Sequence, residues 1–98
     1  MNELDAVIHA PARLRLCAML SVVDEAQFVT VRERLDVSDS VLSKHVSALA
    51  DAGYVASRKG VLDGRRTTWL ALTTTGRKAF AAHVAALRAV IDDASVGP

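Results

Sequence analysis

The length, composition and charge of the chain fit a single small globular domain. Of its 98 residues, 51% are hydrophobic and 23% are charged, which excludes a disordered chain and leaves too little sequence for a second domain. No apolar run approaches the roughly 18 residues that a membrane span needs, and the first residues, MNELDAV, carry acids where a secretory signal carries bases. We therefore expect one domain over residues 1–98, in the cytoplasm and without a membrane partner.

Charge is unevenly distributed along the chain, although the net charge is only +1. Residues 1–36 hold four bases and six acids, residues 37–69 five bases and three acids, and residues 70–98 three bases and two acids. The net charge alone indicates no class of partner. The basic excess, small as it is, begins in the middle of the chain.

The first part of the chain predicts two helices separated by a short extended piece. The spacing of apolar residues predicts a helix over 11–23, with proline at its first position. Residues 28–29 predict the extended piece. Thr30 and Glu33 have the spacing of a capping box, so a short second helix is expected to begin there.

A third helix is predicted from Ser38 to Gly53. Ser38 is a favourable N-cap, Asp39 suits the positive end of a helix, and Gly53 fits a left-handed C-terminal cap. The apolar face of this helix consists of Leu42, Val46 and Leu49. The second and third helices are therefore expected to be joined by a tight turn.

The opposite face of the third helix is rich in serine. Four polar residues share it at i, i+3, i+4 and i+7 spacing: Ser40, Ser43, Lys44 and Ser47. Faces that meet only water usually carry Glu, Lys and Gln, which are better helix formers than serine. Short hydroxyl side chains allow a partner to approach closely, and the lysine favours a negatively charged one. We interpret this serine face as a contact surface, with a water-exposed face as the alternative.

Two strands and a turn predict a β-hairpin. The stretches YVASRKG and TTWLALT are rich in β-branched, aromatic and aliphatic residues, and Asp63 and Gly64 between them form a strong turn signal. Trp69 is expected to anchor the hairpin on the core. The basic residues of the hairpin are Arg58, Lys59, Arg65 and Arg66. They are expected to lie at one edge of the domain.

The last helix carries a long apolar stripe. Thr73 can cap this helix, and the stripe consists of Phe80, Val84, Leu87 and Ile91. The stripe either folds back on the core of a monomer or pairs with the leading segment of a second subunit. We favour pairing, because so small a domain has little core left for another stripe. The expected dimerisation segments are residues 4–10, with Leu4, Val7 and Ile8, and residues 76–94.

The order of these elements resembles that of a winged helix-turn-helix. The stretches VSDSVLSKHVSALADAGYV and DGRRTTWLALTTTGR look like those of bacterial MarR and ArsR type transcriptional regulators, and more closely of small stand-alone winged-helix regulators related to them. The resemblance extends over about 11–80, the expected core. It implies an α+β, mainly helical fold with a two- to three-stranded antiparallel sheet and a C-terminal helix.

The resemblance also implies a function and residues that perform it. In such folds the third helix, the recognition helix, enters the DNA major groove, which implicates Ser40, Ser43, Lys44, His45 and Ser47. The hairpin, or wing, contacts the minor groove or phosphates through Arg58, Lys59, Arg65 and Arg66, and Asp63 and Gly64 shape it. We therefore expect a sequence-specific repressor that binds double-stranded DNA as a homodimer.

Two alternatives remain open at this point. The wing could carry only solvated charges and a local ion pair between Asp63 and Arg65. The whole domain could also be a winged-helix module that binds protein through the serine face or the wing. The chain is shorter than MarR proteins, so any small-molecule effector would have to bind in a cleft at the dimer interface.

Other kinds of site find little support in the sequence. His9, His45, His83 and Cys17 lack the spacing of metal ligands, so no metal is expected and each histidine should have an ordinary surface or capping role. Cys17 lies in the apolar run LRLCAML and is expected to be a buried thiol. No phosphate loop, carboxylate pair or activated nucleophile can be assembled, so neither an enzyme nor a cofactor is expected.

Overall fold

The structure, a computed structural model, describes residues 3–95. Its elements in chain order are α1 (Ala6–His9), α2 (Pro11–Ser21), β1 (Ala26–Gln27), α3 (Phe28–Leu35), α4 (Asp39–Asp51), β2 (Val55–Leu62), β3 (Arg65–Leu72) and α5 (Thr74–Ser95). This is the predicted α+β, mainly helical, winged helix-turn-helix with a C-terminal helix. Among the described helices, none is long and apolar enough to cross a membrane.

The sheet has three antiparallel strands in the order β1-β3-β2. Pairing of β2 with β3 runs from Val55 opposite Leu72 to Leu62 opposite Arg65. The predicted turn is confirmed, because Asp63 (φ 51°) and Gly64 (φ 76°) both have the positive φ of a two-residue hairpin turn. So short a turn lets the strands pair up to its ends, and both strands extend further towards the tip than predicted.

The region before α3 differs from the sequence prediction. The extended piece is Ala26–Gln27, where Ala26 pairs with Leu70 of β3, and residues 28–29 already belong to α3. The capping box at Thr30 is wrong, because Gln27 is the N-cap and its side chain makes no capping hydrogen bond. Pairing with the distant strand β3 fixes where β1 ends, and a local capping signal carries no information about it.

The turn between α3 and α4 is held from both sides. Asp36 ends α3 in a left-handed conformation (φ 56°), and its N–H donates back to carbonyls of α3. The predicted cap at Ser38 is confirmed, since its hydroxyl accepts a hydrogen bond from Val41 N at 3.2 Å. Arg32 Nε lies 2.9 Å from Asp39 Oδ1, an ion pair that joins the two helices. This exposed pair adds one contact between α3 and α4.

The C-terminus of α4 has the predicted glycine cap. Gly53 adopts φ 79°, its N–H donates to Ala50 O at 2.9 Å, and the N–H of Tyr54 donates to Leu49 O at 2.9 Å. These two hydrogen bonds form a Schellman motif, in which glycine takes the left-handed position without steric cost. The chain therefore leaves α4 and enters β2 in one sharp turn.

The start of α5 is packed against that same turn. The predicted cap at Thr73 is confirmed, because its hydroxyl accepts from Gly76 N at 2.9 Å while its own N–H donates to Tyr54 O at 3.0 Å. A Cβ atom placed on Gly76 would lie 2.0 Å from Tyr54 O. Only glycine allows this close approach, which orients α5 relative to the sheet.

The core lies between α1, α2, the helix-turn-helix and one face of the sheet. Its buried apolar residues are Ile8, Leu16, Cys17, Leu20, Val31, Leu35, Leu42, Leu49, Val55, Leu70 and Leu72. The predicted burial of Cys17 is confirmed. Burial raises the pKa of its thiol to about 11, and the charge of Asp5 makes a smaller contribution in the same direction. The thiol is therefore protonated at neutral pH and belongs to the core.

The leading segment packs on its own chain. Ile8 is 0% exposed in the core, so the prediction that it contacts a second subunit is wrong. Asp5 caps α1 by accepting from Val7 N at 2.9 Å, and its other carboxylate oxygen accepts from the Tyr54 hydroxyl at 2.6 Å. A four-residue helix needs such contacts, because it is too short to be stable alone.

Candidate nucleic-acid interface

The serine face of α4 lies on the surface of the domain. Ser40, Ser43, Lys44 and Ser47 are all exposed, whereas Leu42 and Leu49 on the opposite side are 0% exposed. His45, also implicated by the resemblance, is half-buried. Within residues 3–95 Lys44 forms no ion pair or hydrogen bond with another side chain. The helix therefore presents three hydroxyls and one uncompensated cation to a partner.

A shallow cleft separates α4 from the sheet. It has a volume of about 300 Å³ and is lined by Phe28, Ser43, Val46, Ser47, Ser57, Thr68 and Leu70. Ser43 and Ser47 thus face hydroxyl-bearing residues of both wing strands. The serine face continues across this cleft onto the wing, and the two form one polar surface.

Two cations of the wing lie on the same face of the sheet as this cleft. Side chains alternate between faces along a strand, and directly paired residues share a face. Lys59 pairs with Thr68 and lies two residues from Ser57, and Arg66 lies two residues from Thr68. Lys59 and Arg66 therefore project to the side of α4, and both are exposed.

Arg58 lies on the opposite face of the wing and already has a partner. Its Nε donates to Glu25 Oε2 at 2.9 Å, and a second guanidinium nitrogen contacts the other carboxylate oxygen. The hydrogen bond from Arg58 holds the pKa of Glu25 below its ordinary value and raises the pKa of Arg58. No local pattern predicts this partner of Arg58, because Glu25 lies 33 positions earlier in the chain. Of the four basic residues of the wing, Arg58 is the one with an acidic partner among the described residues.

Trp69 supports this ion pair, and the prediction that it anchors the hairpin on the core is wrong. The buried residues of β3 are Leu70 and Leu72, so alternation directs Trp69 to the other face. There it pairs with Arg58 across the strands, and the guanidinium carbon lies 5.2 Å from the ring centroid. The Trp69 ring therefore packs against the guanidinium group of Arg58.

The tip of the wing carries free charges. Among the described residues, no ion pair joins Asp63 to Arg65, and Lys59, Arg65 and Arg66 have no acidic partner. The structure therefore does not have the local salt bridge between Asp63 and Arg65 that would account for these charges without a ligand.

An open concavity of about 1060 Å³ extends from the wing to the first turn of α3, where Phe28 and Val29 line it.

The apolar stripe of α5 divides into a buried and an exposed half. Phe80 packs against the core, His83 is 0% exposed and Ala86 is 2% exposed. Further along, Val90 and Ile91 are 55% and 63% exposed. The first half of the stripe therefore folds back on the core, and the second half is exposed among the described residues. The remaining predicted interface residues are the half-buried Val7, Val84 and Leu87 and the exposed Leu4.

His83 has neither a surface nor a capping role, contrary to expectation. Its Nδ1 accepts from Asp5 N at 2.9 Å, and its Nε2 lies 3.4 Å from His9 Nδ1. Burial, followed by the neighbouring His9, lowers the pKa of His83. No group of three or more His, Cys, Asp or Glu side chains within the described part of the chain is arranged to hold a metal ion.

Comparison with known proteins places these features in a family. The family model for a winged helix DNA-binding domain matches residues 12–91. An uncharacterized protein of Methanocaldococcus jannaschii is 28% identical over 78 residues, which cover 80% of this chain and 85% of that protein.

Solved structures are similar over the same region. A transcriptional regulator homologue protein from Pyrococcus horikoshii has a TM-score of 0.86 at 27% identity, over 92% of this chain and 89% of that chain. A MarR family transcriptional regulator from Silicibacter pomeroyi has a TM-score of 0.66 at 28% identity, over 95% of this chain and 63% of that longer one.

Proposed function

Since the chain belongs to the winged helix DNA-binding domain family, we propose that it is a transcriptional repressor that binds an inverted-repeat operator as a homodimer. The family and the similar regulators support DNA binding and a role in transcription. We assign residues 1–98 to one DNA-binding domain that acts in the cytoplasm, without catalytic activity or a cofactor.

The observation that carries this proposal is the continuity of the serine face with two free cations of the wing. Ser40, Lys44 and Ser47 are exposed on α4, and Lys59 and Arg66 project to the same side across a shallow cleft. Hydroxyl side chains allow the helix to approach base edges closely, while lysine and arginine neutralise phosphates. The surface therefore has the chemistry that a major groove and its flanking backbone require.

The exposed half of α5 supports dimerisation. Val90 and Ile91 lie in the last turns of a 22-residue helix, and they are 55% and 63% exposed among the described residues. Two copies joined there and through the exposed Leu4 can present two recognition helices to successive major grooves about 34 Å apart. A dimer bound in this way represses by excluding polymerase from the operator.

Selection from a pool of random DNA duplexes tests the proposal. The purified protein is incubated with the pool at near-physiological salt, and the retained duplexes are sequenced. We expect an enriched palindrome with half-sites about one helical turn apart, and an affinity that falls steeply as salt is raised. Retention without enrichment would contradict sequence reading. No retention by folded protein would favour the winged-helix module that binds protein.

A further inference from the structure

One aliphatic side chain is exposed on α4 beside the serine face. Val41 is 39% exposed, whereas Leu42 and Leu49 of the same helix are 0% exposed. Val41 is not among the buried residues of the core cluster, unlike Leu42 and Leu49. Valine is also a weak helix former, because branching at Cβ restricts its side chain. Full burial in the core and helix propensity therefore do not explain a valine at this position.

Val41 flanks Lys44 on the side away from the wing. With about 100° of rotation per residue, Val41 is turned about 60° from Lys44, and Ser43 is turned about 100° from it in the opposite direction. Ser43 lines the cleft that faces the wing. The helix thus presents hydroxyls near the wing, a cation in the middle, and a branched aliphatic group on the far flank.

We infer that Val41 contacts the 5-methyl group of a thymine in each half-site, an inference that rests on the proposed function. The thymine methyl is the apolar group that base pairs present in the major groove. Serine hydroxyls both donate and accept, so the serine face alone discriminates weakly between bases. An apolar contact from Val41 adds a preference for thymine that the hydroxyls cannot supply.

Replacement of thymine by deoxyuridine isolates this contact, since it removes only the methyl group. The selected operator is synthesised with one deoxyuridine at a time in one of its two half-sites, and binding of each duplex is measured. We expect one position at which wild-type affinity falls about fourfold, the equivalent of one methyl group removed from an apolar contact. Val41→Ala should bind thymine and deoxyuridine duplexes equally well at that position.

Val22→Ala is the matched control, because Val22 is 81% exposed and follows α2, outside α4. Val22→Ala should keep the fourfold preference for thymine over deoxyuridine at that position. Operator binding that is indifferent to deoxyuridine at every position, or a preference that survives in Val41→Ala, would overturn the role of Val41 alone. Failure to select any sequence would overturn the proposed function and this inference with it.

Discussion

The main-chain N–H of Asp5 donates a hydrogen bond of 2.9 Å to Nδ1 of His83, and so joins the leading segment to the middle of α5. A main-chain amide can only donate, so Nδ1 must be unprotonated. In the neutral ring the proton is then on Nε2, which faces His9 Nδ1. The fold therefore requires His83 to be neutral.

Stability should fall as the pH drops below about 6.5, the ordinary pKa of histidine. Burial, followed by His9, lowers the pKa of His83, so the unfolded chain takes up a proton in a range where the folded chain does not. The free energy of unfolding should then decrease by up to about 1.4 kcal/mol per pH unit. Urea denaturation at several pH values measures this slope.

His83→Asn should flatten the slope between about pH 6.5 and pH 5, since an amide oxygen can accept from Asp5 N and does not titrate in this range. The ionisable groups that act on His83 are Asp5 and His9. His45→Asn, on α4, serves as the control and should keep the slope. Equal slopes in wild type and His83→Asn would contradict the assignment.

Arg66→Ala should weaken operator binding and reduce the salt dependence by about one phosphate contact. The reason is that Arg66 is exposed, has no acidic partner among the described residues, and projects to the side of α4. Lys44→Ala should also weaken binding. The slope of log affinity against log salt is the measurement.

The matched control for these variants is the double change Glu25→Gln with Arg58→Gln. It removes two charges that compensate each other, so the salt slope should remain that of wild type. A loss of slope as large as that of Arg66→Ala would mean that Arg58 contacts phosphate despite its partner.

Ile91→Glu should yield monomers and lower the operator affinity. Ile91 is 63% exposed on the second half of α5, so a charge there leaves the core intact but prevents apolar pairing between subunits. Sedimentation velocity measures the oligomeric state. Val22→Glu places the same charge at an exposed valine outside α5 and should leave the oligomeric state unchanged. A dimer that persists in Ile91→Glu would place the interface elsewhere.

Gly76→Ala should destabilise the fold by roughly 3 kcal/mol, the upper part of the range for overpacking. Its Cβ would lie 2.0 Å from the carbonyl oxygen of Tyr54, and this backbone atom cannot move without shifting α5 or β2. Gly53→Ala is the comparison. A Cβ at Gly53 would meet open space, so the substitution should cost only the strain of a positive φ, about 1 kcal/mol of stability. Thermal denaturation ranks the two, and a smaller loss for Gly76→Ala would disprove the steric explanation.

Local signals predicted α4 and the wing accurately. The caps at Ser38, Gly53 and Thr73 and the turn at Asp63 and Gly64 depend on neighbouring residues alone, and the structure has all of them. The exposed serine face was predicted for the same reason, since helical periodicity determines which residues share a side.

Such local signals do not predict contacts between residues that lie far apart in the chain. The position of β1 depends on pairing with β3, and the fate of Arg58 depends on Glu25 and Trp69. Trp69 was misassigned because an aromatic residue in a strand signals burial, while only the alternation with Leu70 reveals its face. The sequence did not identify Val41 as exposed, because an apolar residue next to Leu42 is expected to belong to the core. On a helix, however, consecutive side chains point about 100° apart, so Val41 and Leu42 do not share a face.

The ion pair of Arg58 with Glu25 makes the base of the wing more rigid before any ligand binds. The base of the hairpin is held by β1 and by the Arg58, Glu25 and Trp69 contacts, so this part of the wing has less conformational freedom to lose on binding than a free hairpin. A preorganised arm gives up little entropy when it is immobilised. Loosening that base should therefore weaken association mainly through an entropic penalty, although no contact with the ligand is removed.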